Sequence, residues 1–187
     1  MESMSRDAAW ELLRRYNESE ALLRHALAVE GVMRRFAREM GEDEDYWGVV
    51  GLIHDLDYEK YPDEHCRMTE RIMREEGLPE ALIHAVISHG WGLCGDVEPT
   101  LPMENVLYTI DELTGLVNAA AIMRPSKSVM DLEVKSVRKK FTTPSFAAGV
   151  NRTVIETGAA RMNMPLDDVI ERVILGMRDV AEEIWLL

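Results

Sequence analysis

The chain has 187 residues, 47% hydrophobic and 29% charged, with a net charge of −13, which suits one soluble globular domain that needs no disulfides to fold. No apolar run approaches the ~20 residues of a membrane-spanning helix, repeats and low complexity are absent, and acidic bulk charge argues against nucleic acid and anionic membrane. Helical periodicity runs through almost the whole chain. A first helix begins at Ser5 or Arg6 and lasts to about Asn17; Ser19 caps a second that runs to Met40 and stops at Gly41. Asp43 caps a third, from Glu44 to about Tyr58, whose middle WGVVGLIH is apolar on nearly every side and therefore central. Pro62 and Asp63 open a fourth helix ending at Gly77, and Pro79 opens a fifth ending near His89. After the loop GWGLCGDVEPTLP, a sixth spans about Pro102 to Met123. RPSKS is a turn, followed by a short basic helix from Asp131 to about Phe141. Pro144 begins a long segment to about Asn163, and Pro165 starts the last helix, with Asp167 and Asp168 in its first turn. No β alternation interrupts this, so the expected class is all-α.

The charge is uneven. Residues 124–140 hold Arg124, Lys127, Lys135, Arg138, Lys139 and Lys140 against Asp131 and Glu133, a local balance of +4 that leaves −17 elsewhere. Such a patch on an acidic protein suits a small anionic ligand better than a polymer, and a solvated helix face is the plainer alternative. The opening MESMSRDAAW lacks the basic and then apolar order of a secretory signal. Cys66 and Cys94 stand 28 positions apart without a CxxC pair, so reduced thiols and a cytoplasmic location are expected.

The histidines become informative once the helices fold back on one another. His25 lies 16 residues before Gly41 and His54 lies 13 after it. Two antiparallel helices joined there place both side chains roughly 20–24 Å from the turn, nearly level. His65 and His89 stand 12 residues on either side of Gly77 and repeat the construction. His84 points about 140° away from His89 and falls outside any cluster. Asp55 follows Gly48 and Gly51, which allow close approach, and Asp111 sits among Leu107, Ile110, Leu113 and Thr114. Glu112 is expected to face solvent. Unpaired buried carboxylates are unfavourable. His25, His54, Asp55 and Asp111 would be mutually satisfied by a divalent cation, and mixed N and O donors suit Mn, Fe, Co, Ni or Zn.

The order is His25 in LLRHALAVE, His54-Asp55 in VVGLIHDLDYEKYPDEH, and Asp111 in YTIDELTGL. Over about residues 19–120 the chain resembles the HD-domain superfamily of metal-dependent phosphohydrolases. The resemblance implies an HD-type helical bundle with one metal on the four matching residues. Around this core of a single 1–187 domain lie the basic segment 124–141 and C-terminal helices 144–187. The stretch from His65 to His89 is similar to the dinuclear members. By that likeness Asp55 bridges two ions and His65 and His89 serve the second, although the 11-residue step from His54 to His65 is short for the pattern. In the alternative, His65 and His89 contact substrate phosphate. The region from about 124 onward, with RPSKS and KSVRKKF, resembles a subgroup of HDIG-type hydrolases and supplies no substrate.

The implied function is hydrolysis of a small phosphorylated substrate such as a nucleotide, by attack of a metal-activated water on phosphorus. Asp55 or Asp111 would orient the water and Lys127 would meet the substrate's charge. Neither nucleic acid nor membrane is an expected partner, and a homo-oligomer is compatible with the reading. The rivals are a di-iron HD-type oxygenase using the same four histidines and two aspartates, and a non-catalytic metal-stabilised sensor or scaffold. Asp57, Glu59 and Lys60 read as a solvated helix end, with substrate contact as the alternative, and Arg24 reads as surface packing. GWGLCG matches G-x-G-x-x-G but follows a helix, so it is no dinucleotide fingerprint. It reads as a flexible loop beside His89, a mouth or lid in which Trp91 either covers substrate or packs away.

Overall fold

The computed structural model describes residues 4–187. The first three residues of the expected domain, and of the opening MESMSRDAAW stretch, lie outside the described residues. Among the described residues there are nine α-helices and no strand: α1 Arg6–Tyr16, α2 Glu20–Met40, α3 Glu44–Leu52, α4 Arg67–Glu75, α5 Glu80–Ile87, α6 Pro102–Ile122, α7 Val134–Phe141, α8 Arg152–Arg161 and α9 Leu166–Asp179. Single 3-10 turns stand at Pro62–Glu64 and Ser88–Gly90. None of the described helices is long and apolar enough to cross a membrane.

The 21-residue helices α2 and α6 form the centre. Helix α2 packs on α3, α9 and α6, and α6 on α8, α9 and α7. Val29, Val32, Met33 and Phe36 of α2 and Leu107, Ile110, Leu113 and Leu116 of α6 are buried, each burial worth about 1.5–3 kcal/mol. Ser19 caps α2 through Leu22 N–H, and Gly41 ends it in the left-handed region at φ 73°, where a side chain is disfavoured. Asp43 caps α3 through the N–H groups of Asp45 and Tyr46. Helix α3 can lie close to α2 because Gly51 has no Cβ; one there would stand 2.8 Å from Met33 Cγ and 3.1 Å from the Val29 carbonyl.

Three elements differ from the sequence expectation. Helix α3 ends at Leu52, not near Tyr58. Beyond it the chain closes three-residue turns, with Leu56 N–H donating to Ile53 and Tyr58 N–H to Asp55. The His54 ring and Asn17 take the Gly51 and Leu56 carbonyls at 2.7 and 2.9 Å. Helix α4 begins at Arg67 rather than Pro62, because Cys66 turns the chain through φ 66°. Asp57 then serves its open N-terminus, accepting Thr69 N–H at 2.8 Å. The long segment expected from Pro144 is helical only from Arg152. Residues 143–150 form turns instead, held by the Arg152 guanidinium, which takes the carbonyls of Phe146, Ala147 and Val150 that a helix would have used.

Candidate metal centre

The α2–α6 contact and the turn after α3 bring four side chains from distant positions to one spot. His25 Nε2 on α2 lies 2.9 Å from Asp111 Oδ1 on α6 and 3.7 Å from Asp55 Oδ2. His54 Nε2 lies 3.3 Å from Asp55 Oδ2 and 3.2 Å from Asp111 Oδ1. One ligand atom from each of His25, His54, Asp55 and Asp111 falls within 4.8 Å of all the others.

A second group shares Asp55. Its other oxygen, Oδ1, lies 3.3 Å from His65 Nε2 and 3.6 Å from His89 Nε2. Those two ring nitrogens are 3.1 Å apart. Neither residue is in an α-helix: His65 precedes Cys66 at the start of α4, and His89 stands in the 3-10 turn after α5. They meet just beyond the open ends of the α4–α5 hairpin that turns at Gly77, level with each other as the sequence spacing suggested. Asp55 thus presents one oxygen to each group.

The hydrogen bonds behind these rings fix which nitrogen faces inward. His54 Nδ1 is 2.7 Å from the Gly51 carbonyl, His89 Nδ1 is 2.6 Å from the Val86 carbonyl, and His65 Nδ1 is 2.7 Å from Asp57 Oδ1. With Nδ1 donating outward, each Nε2 turns a lone pair toward the carboxylates, as in carboxylate–histidine–metal arrangements. His54 Nε2 is buried and has no hydrogen-bond partner. An orphaned buried nitrogen is disfavoured by about 1–3 kcal/mol, and a cation ligated there would use its lone pair. Burial opposes charge on the His54 ring, yet Asp55 and Asp111 lift its pKa well above the histidine norm, so with no ion bound a proton on Nε2 answers the two carboxylates, and a ligated cation would take that proton's place. Burial likewise pushes Asp55 and Asp111 up, yet the His54 charge brings both below the usual carboxylate range. Both aspartates are therefore ionised acceptors demanding positive charge, and a borderline divalent ion fits their mixed N and O donors.

A cavity of about 440 Å³ opens onto the centre, walled by Leu22, Tyr58, Leu93, Glu112 and Val150 among others. Lys127 lies outside this cavity. It lines an adjoining recess of about 270 Å³, which shares His25 and Gly115 with the first and is closed by Ile122, Trp185 and Leu186. The basic segment does not act as one patch. Arg124 is paired in two-pronged fashion with Asp131, Lys135 with Glu133, and Lys140 lies over the Phe146 ring. Arg24 packs over Trp185, 4.3 Å from the ring centre.

Several residues stand elsewhere than the sequence suggested. Asp57 is fully buried behind His65, not on a solvated helix end. Glu59 and Lys60 are exposed, as expected, while Glu59 takes the N–H groups of Glu18 and Ser19 ahead of α2 and Lys60 donates to the Arg15 carbonyl. Glu112 accepts Asn151 N–H at 2.8 Å on the cavity wall rather than facing solvent. Trp91 packs against Tyr108 and under Arg161, away from the cavity. The GWGLCG loop is pinned, because the Gly90 carbonyl accepts from Leu93, Cys94 and Gly95. Cys66 and Cys94, read as two separate thiols, have sulfurs 3.0 Å apart. The sequence signals for these were a second acid two residues after Asp55 and a cysteine directly following His65.

His84 lies outside the cluster, 2.7 Å from Glu104 Oε1. Buried Glu104 also accepts the N–H groups of Thr100 and Leu101 at 2.7 and 2.9 Å, closing the start of α6. Burial favours its neutral form, but those N–H groups and His84 hold it below the usual 4.5. A depressed folded pKa contributes stability in full above the unfolded value and loses it as pH falls through the folded one. Glu104→Gln is expected to lower stability by about 1–3 kcal/mol near neutral pH and to flatten the decline on the acid side. Urea unfolding of both proteins at pH 7 and pH 4 measures this, and parallel declines would contradict it.

The family model described as HD domain matches residues 22–134, more than half of the chain and a span within which the six clustered histidines and aspartates fall. No solved structure gives a significant match.

Proposed function

The chain belongs to the HD domain family, and on that premise we propose that it is a metal-dependent phosphohydrolase acting on a small phosphorylated substrate such as a nucleotide. The observation that carries the reading is the inward turn of the Nε2 atoms of His54, His65 and His89 about a carboxylate, Asp55, whose two oxygens face two histidine groups. His25, His54, Asp55 and Asp111 would hold one divalent ion (Mn, Fe, Co, Ni or Zn), and His65 and His89 with Asp55 a second. When bound, such ions supply the Lewis acidity that makes water nucleophilic at neutral pH and the charge that offsets phosphoryl oxygens.

The chain's own groups have separate tasks. Asp55 and Asp111 orient the attacking water by accepting its hydrogen bonds. Asp57 Oδ1 keeps the proton of His65 on Nδ1 and so holds Nε2 ready as a donor. Leu22, Leu93 and Val150 on the cavity wall limit the water around the reacting phosphoryl group. A substrate whose phosphoryl group reaches the centre extends past His25 into the adjoining recess, where Lys127 meets negative charge and Ile122, Trp185 and Leu186 cover the organic part.

Lys127→Ala is accordingly expected to raise KM for an anionic substrate by about tenfold, the scale of one charged hydrogen bond, without loss of metal. An unchanged KM would detach the recess from substrate binding. The reading itself is tested by elemental analysis of the purified protein coupled to a phosphate-release screen over nucleotides and sugar phosphates. Anaerobic hydrolysis with manganese supports it. Turnover that requires iron and oxygen would favour an oxygenase, and metal without hydrolysis of any substrate would favour a sensor or scaffold.

A further inference from the structure

We propose that Cys66 supplies a sulfur ligand to the ion held by His65 and His89, making that half of the centre a zinc-type site chemically distinct from the His25, His54 and Asp111 half. The inference rests on the metal-binding reading above and deepens it.

The geometry gathers the sulfur with the rings. Donor atoms of His65, Cys66 and His89 lie within 4.8 Å of one another, and Cys66 Sγ is 3.9 Å from His89 Nε2. Cys66 is buried, 4% exposed, so its sulfur is directed inward and away from solvent. Its backbone holds φ 66° and ψ −43°, a positive-φ conformation outside the left-handed helical well that non-glycine residues rarely adopt. That turn places the side chains of His65 and Cys66, neighbours in sequence, toward the same ring of His89. Strained backbone of this kind gathers at ligand-holding positions.

The opposite wall is shaped around sulfur as well. A Cβ at Gly90 would stand 2.4 Å from Cys94 Sγ and 2.5 Å from Cys66 Sγ, so the residue following His89 leaves its side-chain space to the two thiols. Cys94 N–H donates to the Gly90 carbonyl at 3.0 Å, which fixes the Cys94 side chain beside Cys66, sulfur to sulfur at 3.0 Å. Cys94 is thus the hydrogen-bonding neighbour that orients the ligand sulfur, as Asp57 orients His65. Two imidazoles and one thiolate make a three-donor set, with Asp55 Oδ1 3.3 and 3.6 Å from the two ring nitrogens. Thiolate selects zinc over manganese or magnesium, whereas the sulfur-free N and O set of the other half discriminates less.

Zinc X-ray absorption on the wild-type protein decides the question without any variant. A sulfur shell at about 2.3 Å from zinc is expected. Two bound zinc ions with only nitrogen and oxygen neighbours would overturn the inference and leave the phosphohydrolase reading standing. A protein that takes up no divalent ion would sink that reading, and this inference with it. In the cobalt-substituted protein, a thiolate-to-metal charge-transfer band in the near ultraviolet is expected. Cys66→Ser should remove the band and lower the metal content from two equivalents to one, while His84→Ala should change neither. A band that persists in folded Cys66→Ser would overturn the assignment of the sulfur to Cys66.

Discussion

Asp55→Ala is expected to lower kcat by about a thousandfold or more, the loss of several kcal/mol of metal-supplied stabilisation, and to empty both halves of the centre. The reason is the split of one carboxylate. Oδ2 lies against His25 and His54, and Oδ1 against His65 and His89. Removing any one histidine deprives one group of one donor, whereas removing Asp55 deprives both and leaves Asp111 as the only carboxylate of the six residues. The fold should survive, because the turn carrying Asp55 is held by the bonds from His54 to Gly51 and from Asn17 to Leu56, and Asp55 has no part in either. Metal content by elemental analysis, with far-ultraviolet circular dichroism as the check on folding, reads the result. His84→Ala provides the contrast: its ring is engaged by Glu104 in the first turn of α6, outside the cluster, so metal content should stay at the wild-type level. Equal metal loss in the two variants would refute the assignment of the site.

The parts of the centre that sequence made visible were those set by helix periodicity. His25 in the second turn of α2 and Asp111 in the middle of α6 sit on apolar faces, and their neighbours Val29, Leu107 and Ile110 are buried as the 3-or-4 spacing requires. The caps Ser19, Asp43 and Gly41 were legible for the same local reason. What stayed hidden depends on backbone that leaves the helix. Asp57 belongs to the turn after Leu52, and with a helix drawn through to Tyr58 it falls at a solvated end instead of beneath α4. Cys66 and Cys94 come together because Cys66 takes a positive-φ turn and Gly90 lacks a side chain, neither of which any periodicity announces. The basic segment 124–140 shows the opposite error, although Lys127 within it does line the recess beside His25. A run of cations along the sequence read as a patch, but its members are dispersed over a turn and a helix, and Arg124 and Lys135 are matched by carboxylates from the same run.

Arg152→Ala is expected to lower stability by about 3 kcal/mol, a Tm shift of about 6–12 °C for a chain of this size, and to raise KM while metal stays bound. Arg152 is the first residue of α8, where the helix dipole disfavours a cation by about 0.3–1 kcal/mol. Its guanidinium more than offsets this by donating to the carbonyls of Lys140, Phe141, Thr143, Phe146, Ala147 and Val150, since bonds from a charged donor contribute about 1.5–3 kcal/mol singly and less when shared. These carbonyls span the end of α7 and the whole turn segment, so one side chain stands in for the secondary structure that residues 143–150 lack. The same segment reaches the cavity through Gly149 and Val150, and Asn151 N–H holds Glu112 beside Asp111. Loosening it should therefore weaken the substrate wall before it disturbs the ligands, which stand on other elements. Arg152→Lys separates shape from charge: a single ammonium keeps the cation at the helix start but cannot span carbonyls in several directions, so it should recover little of the lost Tm. Thermal unfolding, steady-state kinetics and metal analysis on the two variants test the chain of reasoning, and a lysine variant as stable as wild type would show that charge alone holds the segment.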